Sequence, residues 1–332
     1  CGRSAPLVLP VGVIVGLKLG GVAALVADRL DQTAKDETAI ALALGASAAP
    51  PISAATPAEL LTRRIPSSGE TIPVVGLGSW ITFNVGNDGA ARAACTEVMR
   101  QFFAAGGRMI DSSPMYGSAQ DVIGDALRQL GRPARLFAAD KVWTSSDGPA
   151  QIVDSRRKWR VPRFDLLQVH NLLDWERHLP MLLAMKAAGQ LRYVGITTSE
   201  GRRHADILKI MASQPIDFVQ VTYNAVDREV EARILPLARE RGIAVIANRP
   251  FRQGELTEAL RRHPLPPWAA EIGCTSWAQV LLKFIVSHPQ ITCAIPATSQ
   301  PAHVRENMAA ATGPMPDAAF RNRISAHVAR LL

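Results

Sequence analysis

Two ionisable residues stand close together in the stretch GGRMIDSSPMYGSAQDVIGDAL, residues 106–127. Gly106 and Gly107 end a helical run, and Met109 and Ile110 read as a short buried strand that ends in Asp111. Tyr116 follows in a small polar loop, and Ser118 is placed to cap a helix whose apolar face is Val122, Ile123, Ala126, Leu127 and Leu130. Two further candidates follow apolar strands: Lys141 after Leu136–Asp140, and His170 after Phe164–Val169. Each has an ordinary reading when taken singly: a turn carboxylate, a packed tyrosine, a solvated lysine, a structural histidine. Together they make a proton-delivery set. A free phenol has a pKa of about 10, too high for good donation near neutrality. A neighbouring ammonium, Lys141, lowers it. Asp111 can hold that ammonium charged and in place, and His170 can hydrogen-bond and orient the oxygen that receives the proton.

These residues need a scaffold that brings successive strand ends to one edge, as parallel α/β folds do. From Ile72 onward the chain alternates strand and helix. Ile72–Leu77 reads as strand, and Trp80 stands at its end. Asp88 can cap a helix with Cys95, Val98, Met99 and Phe102 on one face. After the His170 strand, Asp174 opens a helix that Gly189 stops, with Pro180 inside it. Later strands are Tyr193–Ile196, Phe218–Val221, Ile243–Ala247 and Ile291–Ile295. The helix between Asp227 and Gly242 should bend at Pro236. Eight strands, each followed by a helix, predict a (β/α)8 TIM barrel, an α/β fold of roughly 250 residues, with a non-barrel N-terminal extension. A doubly wound open sheet would want a GxGxxG loop running straight into a helix, and GLGSWITFNVG lacks that spacing.

The chain has 332 residues, of which 48% are hydrophobic and 20% charged, so a sizeable core is expected. Its net charge of +8 fits a basic enzyme surface or the attraction of an anionic ligand. With no Lys/Arg run of five and no basic–aromatic interleaving, nucleic-acid binding is not expected. The four cysteines form no CxxC, and Gln168-Val169-His170 is not the HxH of a metal hydrolase, so no metal site is expected.

The first fifty residues read as a leader-like or anchor-like extension. Leu7–Val26 is almost continuously apolar, broken by Lys18, and long enough to span a bilayer. The later ALGASAAPPISAA looks like a signal-peptidase site. An export leader, a single membrane anchor with a periplasmic enzyme behind it, and an extension without a role all remain open; an exported, periplasmic location is expected, with a cytoplasmic one as the alternative. Any membrane contact would run through this segment alone. Pro50, Pro51 and Pro57 mark a Pro/Ser-rich linker over 51–70, and the barrel occupies 71–332.

Over about residues 65–312 the chain resembles the aldo-keto reductase family. The resemblance is carried by IPSSGETIPVVGLGSW, by the Asp111–Tyr116 stretch, by Lys141 and His170 in order, and by IPATSQPAHVRENMAAA at residues 295–311. It implies an NAD(P)H-dependent reductase that turns an aldehyde or ketone into an alcohol, with Asp111, Tyr116, Lys141 and His170 catalytic. It also implies NADP(H) as the preferred cofactor, with NAD(H) possible, and a small carbonyl compound as substrate. The family's Ser-Asn pair for the nicotinamide carboxamide is matched by Thr197 and Thr198, and its glutamine by Gln220. Asn248 stands where a stacking tyrosine is usual, leaving Arg249 or Phe251 as substitutes. Thr298 and Ser299 match 2′-phosphate ligands, Ala297 and His303 stand at the usual lysine and arginine, and Arg305 lies nearby. Glu306 and Asn307 match residues at the adenine. Trp80 and Asn171 match substrate-pocket positions. The rival implied by the same resemblance is a cofactor-binding regulatory or interaction protein with little turnover.

Overall fold

The computed structural model describes residues 59–131 and 133–332. The apolar segment at 1–50 and the start of the linker lie outside the described residues. Among the described residues, no helix is long and apolar enough to cross a membrane.

The chain enters through an antiparallel hairpin, β1 (Thr62–Arg64) and β2 (Thr71–Pro73), with Arg63 opposite Ile72. From Thr62 onward the stretch assigned to a linker is therefore paired structure. Its physical reason is burial: Ile65 and Ile72 are wholly enclosed. Then follow β3 (Leu77–Gly78), α1 (Gly89–Ala104), β4 (Met109–Asp111), α2 (Ala119–Gln129), β5 (Phe137–Val142), α3 (Gly148–Trp159) and β6 (Leu166–His170). The second half runs α4 (Trp175–Ala187), β7 (Tyr193–Thr197), α5 (His204–Ser213), β8 (Phe218–Thr222), α6 (Ile234–Arg241), β9 (Ala244–Asn248), α7 (Glu255–Leu260) and α8 (Trp277–Val286). It ends with β10 (Cys293–Ala294), α9 (Pro301–Ala309) and α10 (Ala318–Leu331).

Strands β3 to β10 form one parallel eight-stranded sheet in sequence order. Parallel bridges from Val75 to Ala294 and from Gly78 to Ala297 join its two edges, so the sheet closes into the expected (β/α)8 barrel. Period-two alternation sorts the strand residues. Met109, Phe137, Leu166, Tyr193, Phe218, Ala244 and Cys293 fill the lower interior, together with Ile65 and Ile72 of the hairpin. Outward residues such as Val142, Leu167, Val169 and Val219 pack under the helices. Further along the same inward rows the residues turn polar, and the site begins there. Gly195 keeps its place in that interior because a Cβ would lie 2.8 Å from the Phe218 carbonyl and 3.1 Å from Gln168.

Local details differ from the sequence reading. Asp88 caps α1 as expected, accepting from the Ala91 amide. Ser118 occupies the N-cap of α2 but makes no capping bond. Its hydroxyl instead accepts from the Gly86 amide at 2.8 Å and donates to Asn84, tying the Tyr116 loop to the loop after β3. Pro236 lies in the first turn of α6, where no backbone donor is needed, because the helix starts at Ile234 rather than near Asp227.

Candidate functional site

Lys141 and His170 are the last inward-facing residues of their strands, not loop residues beyond them. In β5 the residues Phe137, Ala139 and Lys141 face the interior, while Asp140 faces the helices. Lys141 is fully buried, and its ammonium donates to the Asp111 carboxylate at the end of β4. It also donates to the Ser112 carbonyl at 2.8 Å. The second Asp111 oxygen accepts from Gln220 at 3.0 Å and from Gln168 at 3.2 Å. Four strands thus hold one carboxylate, and that carboxylate holds the amine. Burial pulls the Lys141 ammonium toward neutrality, but Asp111 and then Tyr116 outweigh it, and its pKa ends above the ordinary lysine value.

The Lys141 ammonium lies 5.1 Å from the centre of the Tyr116 ring. The His170 ring meets that ring edge-on at 5.6 Å, and Trp80 lies tilted at 6.3 Å on another side. Burial pushes the Tyr116 phenol above its ordinary pKa, with the Lys141 charge pulling the other way. This corrects the expectation from residue types alone: the ammonium lowers the phenol's pKa, but desolvation raises it more. His170 is driven down to about 2 by burial and by the nearby Lys141 charge, so its imidazole is neutral. On the outer face of β5, Asp140 accepts from its neighbour's amide at 2.8 Å and from Gln120 of α2 at 2.7 Å. Burial pushes this carboxyl up to about 7.

A cleft of about 750 Å³ opens over these residues at the carboxyl ends of the strands. Asp111, Tyr116, His170, Trp80 and Asn171 line one part. Thr197, Gln220, Asn248, Arg249, Phe251, Thr298, Glu306 and Asn307 belong to the same lining. Lys141 lies buried outside that lining, and three further candidate positions stand elsewhere. Thr198 is buried behind the lining, with its amide on Gln220 and its carbonyl accepting from Asn248 at 2.9 Å. Ser299 does not line the cleft. Arg305 leaves the groove altogether: it is exposed on α9 and bonds the Gln101 side chain on α1. A helix residue points where its turn aims it, so nearness in sequence to Glu306 did not carry Arg305 to the same face.

Asn248 is a strut. Its oxygen accepts from Thr222 at 2.8 Å and its amide donates to Thr198, so it ties the ends of β7, β8 and β9. Sequence reasoning missed Glu200, Arg202, Gln253 and Arg261, all of which line the cleft. Glu200 pairs with Arg249 at 2.7 Å and with Arg202 at 3.1 Å. The signal for the loop was its composition: ANRPFRQG mixes a proline, a glycine and cations directly after a strand. Among the described residues, no three His, Cys, Asp or Glu side chains are grouped to hold a metal ion.

The family model for the aldo/keto reductase family matches residues 74–327. The chain is 27% identical to methylglyoxal reductase YeaE of Escherichia coli (strain K12) over 257 residues, 74% of this chain and 88% of that protein. It is 23% identical to the NADH-specific methylglyoxal reductase of the same organism over 301 residues, 72% of this chain and 90% of that protein. Among solved structures, it is similar to an aldo-keto reductase from Klebsiella pneumoniae in complex with NADPH. The identity there is 22%, the TM-score 0.68, and the match covers 81% of this chain and 95% of the other. The matched span runs through the barrel and includes the Asp111, Tyr116, Lys141 and His170 cluster, and on that ground the chain belongs to the aldo/keto reductase family.

Proposed function

We propose that the protein is an NADPH-dependent reductase of aldehydes or ketones, with Tyr116 as proton donor. The observation that carries the reading is the buried Asp111–Lys141 pair set beneath the Tyr116 ring, beside a neutral His170 and at the wall of one cleft. A general acid must hold its proton before the reaction and release it readily during it. Burial serves the first need by keeping the phenol protonated. Lys141 serves the second, because its attraction grows as negative charge develops on the phenolate. Asp111 keeps that ammonium charged, and Gln168 and Gln220 keep Asp111 fixed.

The cleft fits a dinucleotide. Its lining takes in His170, Thr197, Asn248, Thr298 and Asn307, and Arg202, Arg249, Arg261 and His303 in the same lining suit phosphate charge. When bound, such a cofactor supplies the hydride. Thr197 and Gln220 would hold the carboxamide end, with Arg249 and Phe251 beside it in place of a stacking tyrosine. Thr298 and His303 would face the adenosine phosphate, and Glu306 and Asn307 the adenine. The preference for NADPH is supported by that cationic lining and by the complex of the Klebsiella protein; the NADH-specific relative keeps NADH as second choice.

Trp80, Ile81 and Met115 form an exposed apolar rim on the Tyr116 side, and Asn171 adds a polar edge. This rim supports a carbonyl compound with an apolar substituent as substrate. The test is NADPH consumption across aldehydes of rising apolar size, with Tyr116→Phe as control. The expected result is turnover in the wild type and a loss of about 10²–10⁴-fold in Tyr116→Phe with cofactor binding retained. Tight NADPH binding with no turnover on any carbonyl would replace this reading with a cofactor-binding regulatory protein.

A further inference from the structure

Ser113 is fully buried two residues after Asp111, and nothing so far assigns it a role. Its oxygen lies 2.8 Å from His170 Nδ1 and accepts the Met115 amide at 3.2 Å. A neutral imidazole carries one proton, on Nδ1 or on Nε2. Which nitrogen holds it decides whether the side facing the cleft is a donor or an acceptor.

The surroundings close the choice. The Ser113 hydroxyl carries a proton that needs an acceptor, because a buried donor without one is unfavourable. Its oxygen is engaged by an amide donor, and among the described residues Nδ1 is the acceptor within hydrogen-bond distance of it. So Ser113 donates to Nδ1, and the ring proton sits on Nε2. His170 lines the cleft, and Nε2 has no hydrogen bond to the described protein, leaving that N–H free for a ligand. We propose that Ser113 is a positioning residue that holds His170 in the Nε2–H tautomer, so that the imidazole donates to the carbonyl oxygen alongside Tyr116. This rests on the reductase reading only for the identity of the oxygen; the tautomer of the neutral ring follows from the geometry.

The alternative arrangement places a proton on Nδ1 and points it at the hydroxyl. The Ser113 oxygen would then accept twice and its own proton would be stranded. The Nε2 lone pair would face an oxygen that is gaining negative charge, which repels it. Ser113 therefore acts through His170, and its effect should appear in rate rather than in cofactor affinity.

The test is ¹⁵N NMR of the histidine-labelled whole chain, with the His170 signals assigned by their loss in His170→Gln. The wild type should show an unprotonated Nδ1 and a protonated Nε2 at neutral pH. Ser113→Ala should show a tautomer mixture, and its kcat for an aldehyde should fall by at least about tenfold, less than the roughly 100-fold or more typical of losing a donor outright. KM for NADPH should not change. Ser113→Thr, which keeps the hydroxyl, should restore both readouts. A protonated Nδ1 in the wild type would overturn the proposal, and so would a Ser113→Ala protein with unchanged spectrum and kcat. The wild-type spectrum decides the matter even if Ser113→Ala fails to fold. Absence of carbonyl turnover in the wild type would defeat the reductase reading while the NMR result stood separately.

Discussion

The two ends of the barrel are built to different rules. At the amino end the hairpin caps the interior, and a closed polar network seals it. Glu70 accepts from Arg108 at 2.9 Å, from the Tyr193 hydroxyl at 2.9 Å and from Arg192. Arg192 also pairs with Asp165 at 2.8 Å, and Asp165 accepts the Ala138 amide of β5 at 2.8 Å. Ser68 bonds the same Tyr193 hydroxyl at 2.7 Å. At the carboxyl end the backbone is strained instead. Among the described residues, all the non-glycine residues with positive φ except Arg160 lie in loops that follow strand ends, among them Ile81 at 63°, Asn171 at 53° and Gln253 at 61°. Among the described residues the buried hydroxyls of Thr82, Ser112 and Thr198 have no hydrogen-bond partner there, although Arg63 Nε of the hairpin and Trp159 Nε1 at the end of α3 lack one too. Backbone strain is what separates the two ends, and it collects where a ligand would be received.

Substitutions at the two ends should therefore separate rate from stability. Lys141→Met should have the largest effect. It leaves Asp111 buried without its cation, so kcat should fall by about 10²–10⁴-fold and unfolding free energy by roughly 3–5 kcal/mol. Stopped-flow turnover and urea titration measure the two.

Asp140 sharpens the contrast, because it is buried next to Lys141 yet faces the helices. Its carboxyl is held up to about 7 by burial, against an ordinary value of 3.8. The folded state thus binds the proton more tightly than the unfolded state. The stability from this group is fully present below pH of about 4 and is lost as pH rises through about 7. Asp140→Asn should flatten the fall in Tm between those values, with the Gln120 amide turning round to meet the new side chain. A Tm that drops with pH as steeply as in the wild type would show that this carboxyl is not the group responsible.

Arg192→Ala probes the sealed end. It removes charged hydrogen bonds to Glu70 and Asp165, and unfolding free energy should fall by about 1–3 kcal/mol while kcat stays at the wild-type value. A matching loss of kcat would mean that the two ends are coupled. The smallest effect is expected at Ile81, a β-branched residue in the left-handed region with its side chain exposed. Ile81→Gly should raise stability by roughly 0.5 kcal/mol, since relief of the left-handed backbone exceeds the entropy loss of glycine. The same variant should lower kcat/KM for large apolar aldehydes more than for small polar ones, measured in parallel assays.

Much of the candidate site was legible because barrel chemistry gathers at strand ends. Asp111, Tyr116 and His170 could be found by asking which polar residue follows each apolar run, and the structure brings them together around Lys141. Residues that act across strands were not legible in that way. Gln168 reads as an interruption of an apolar strand until Asp111 is seen facing it. Ser113 reads as a loop serine until His170 lies beside it. Arg305 reads as a groove cation until its helix turns it toward Gln101. Arg202 lies in a turn with Glu200, Gly201 and Arg203 at positive φ, and Arg261 caps the end of α7, so the direction of each is set by its local fold.

The sequence by itself determined the strand–helix alternation, the inward and outward rows, and which residue types stand at the mouth. Side-chain periods of two and 3.6 are local properties, and a chain carries them openly. Only the tertiary structure decided how hard each group is pressed. Whether Tyr116 is more or less acidic than a free phenol depends on the balance between one ammonium and the water removed around it. Those two influences come from residues far apart in the chain, and they take effect only when the barrel closes.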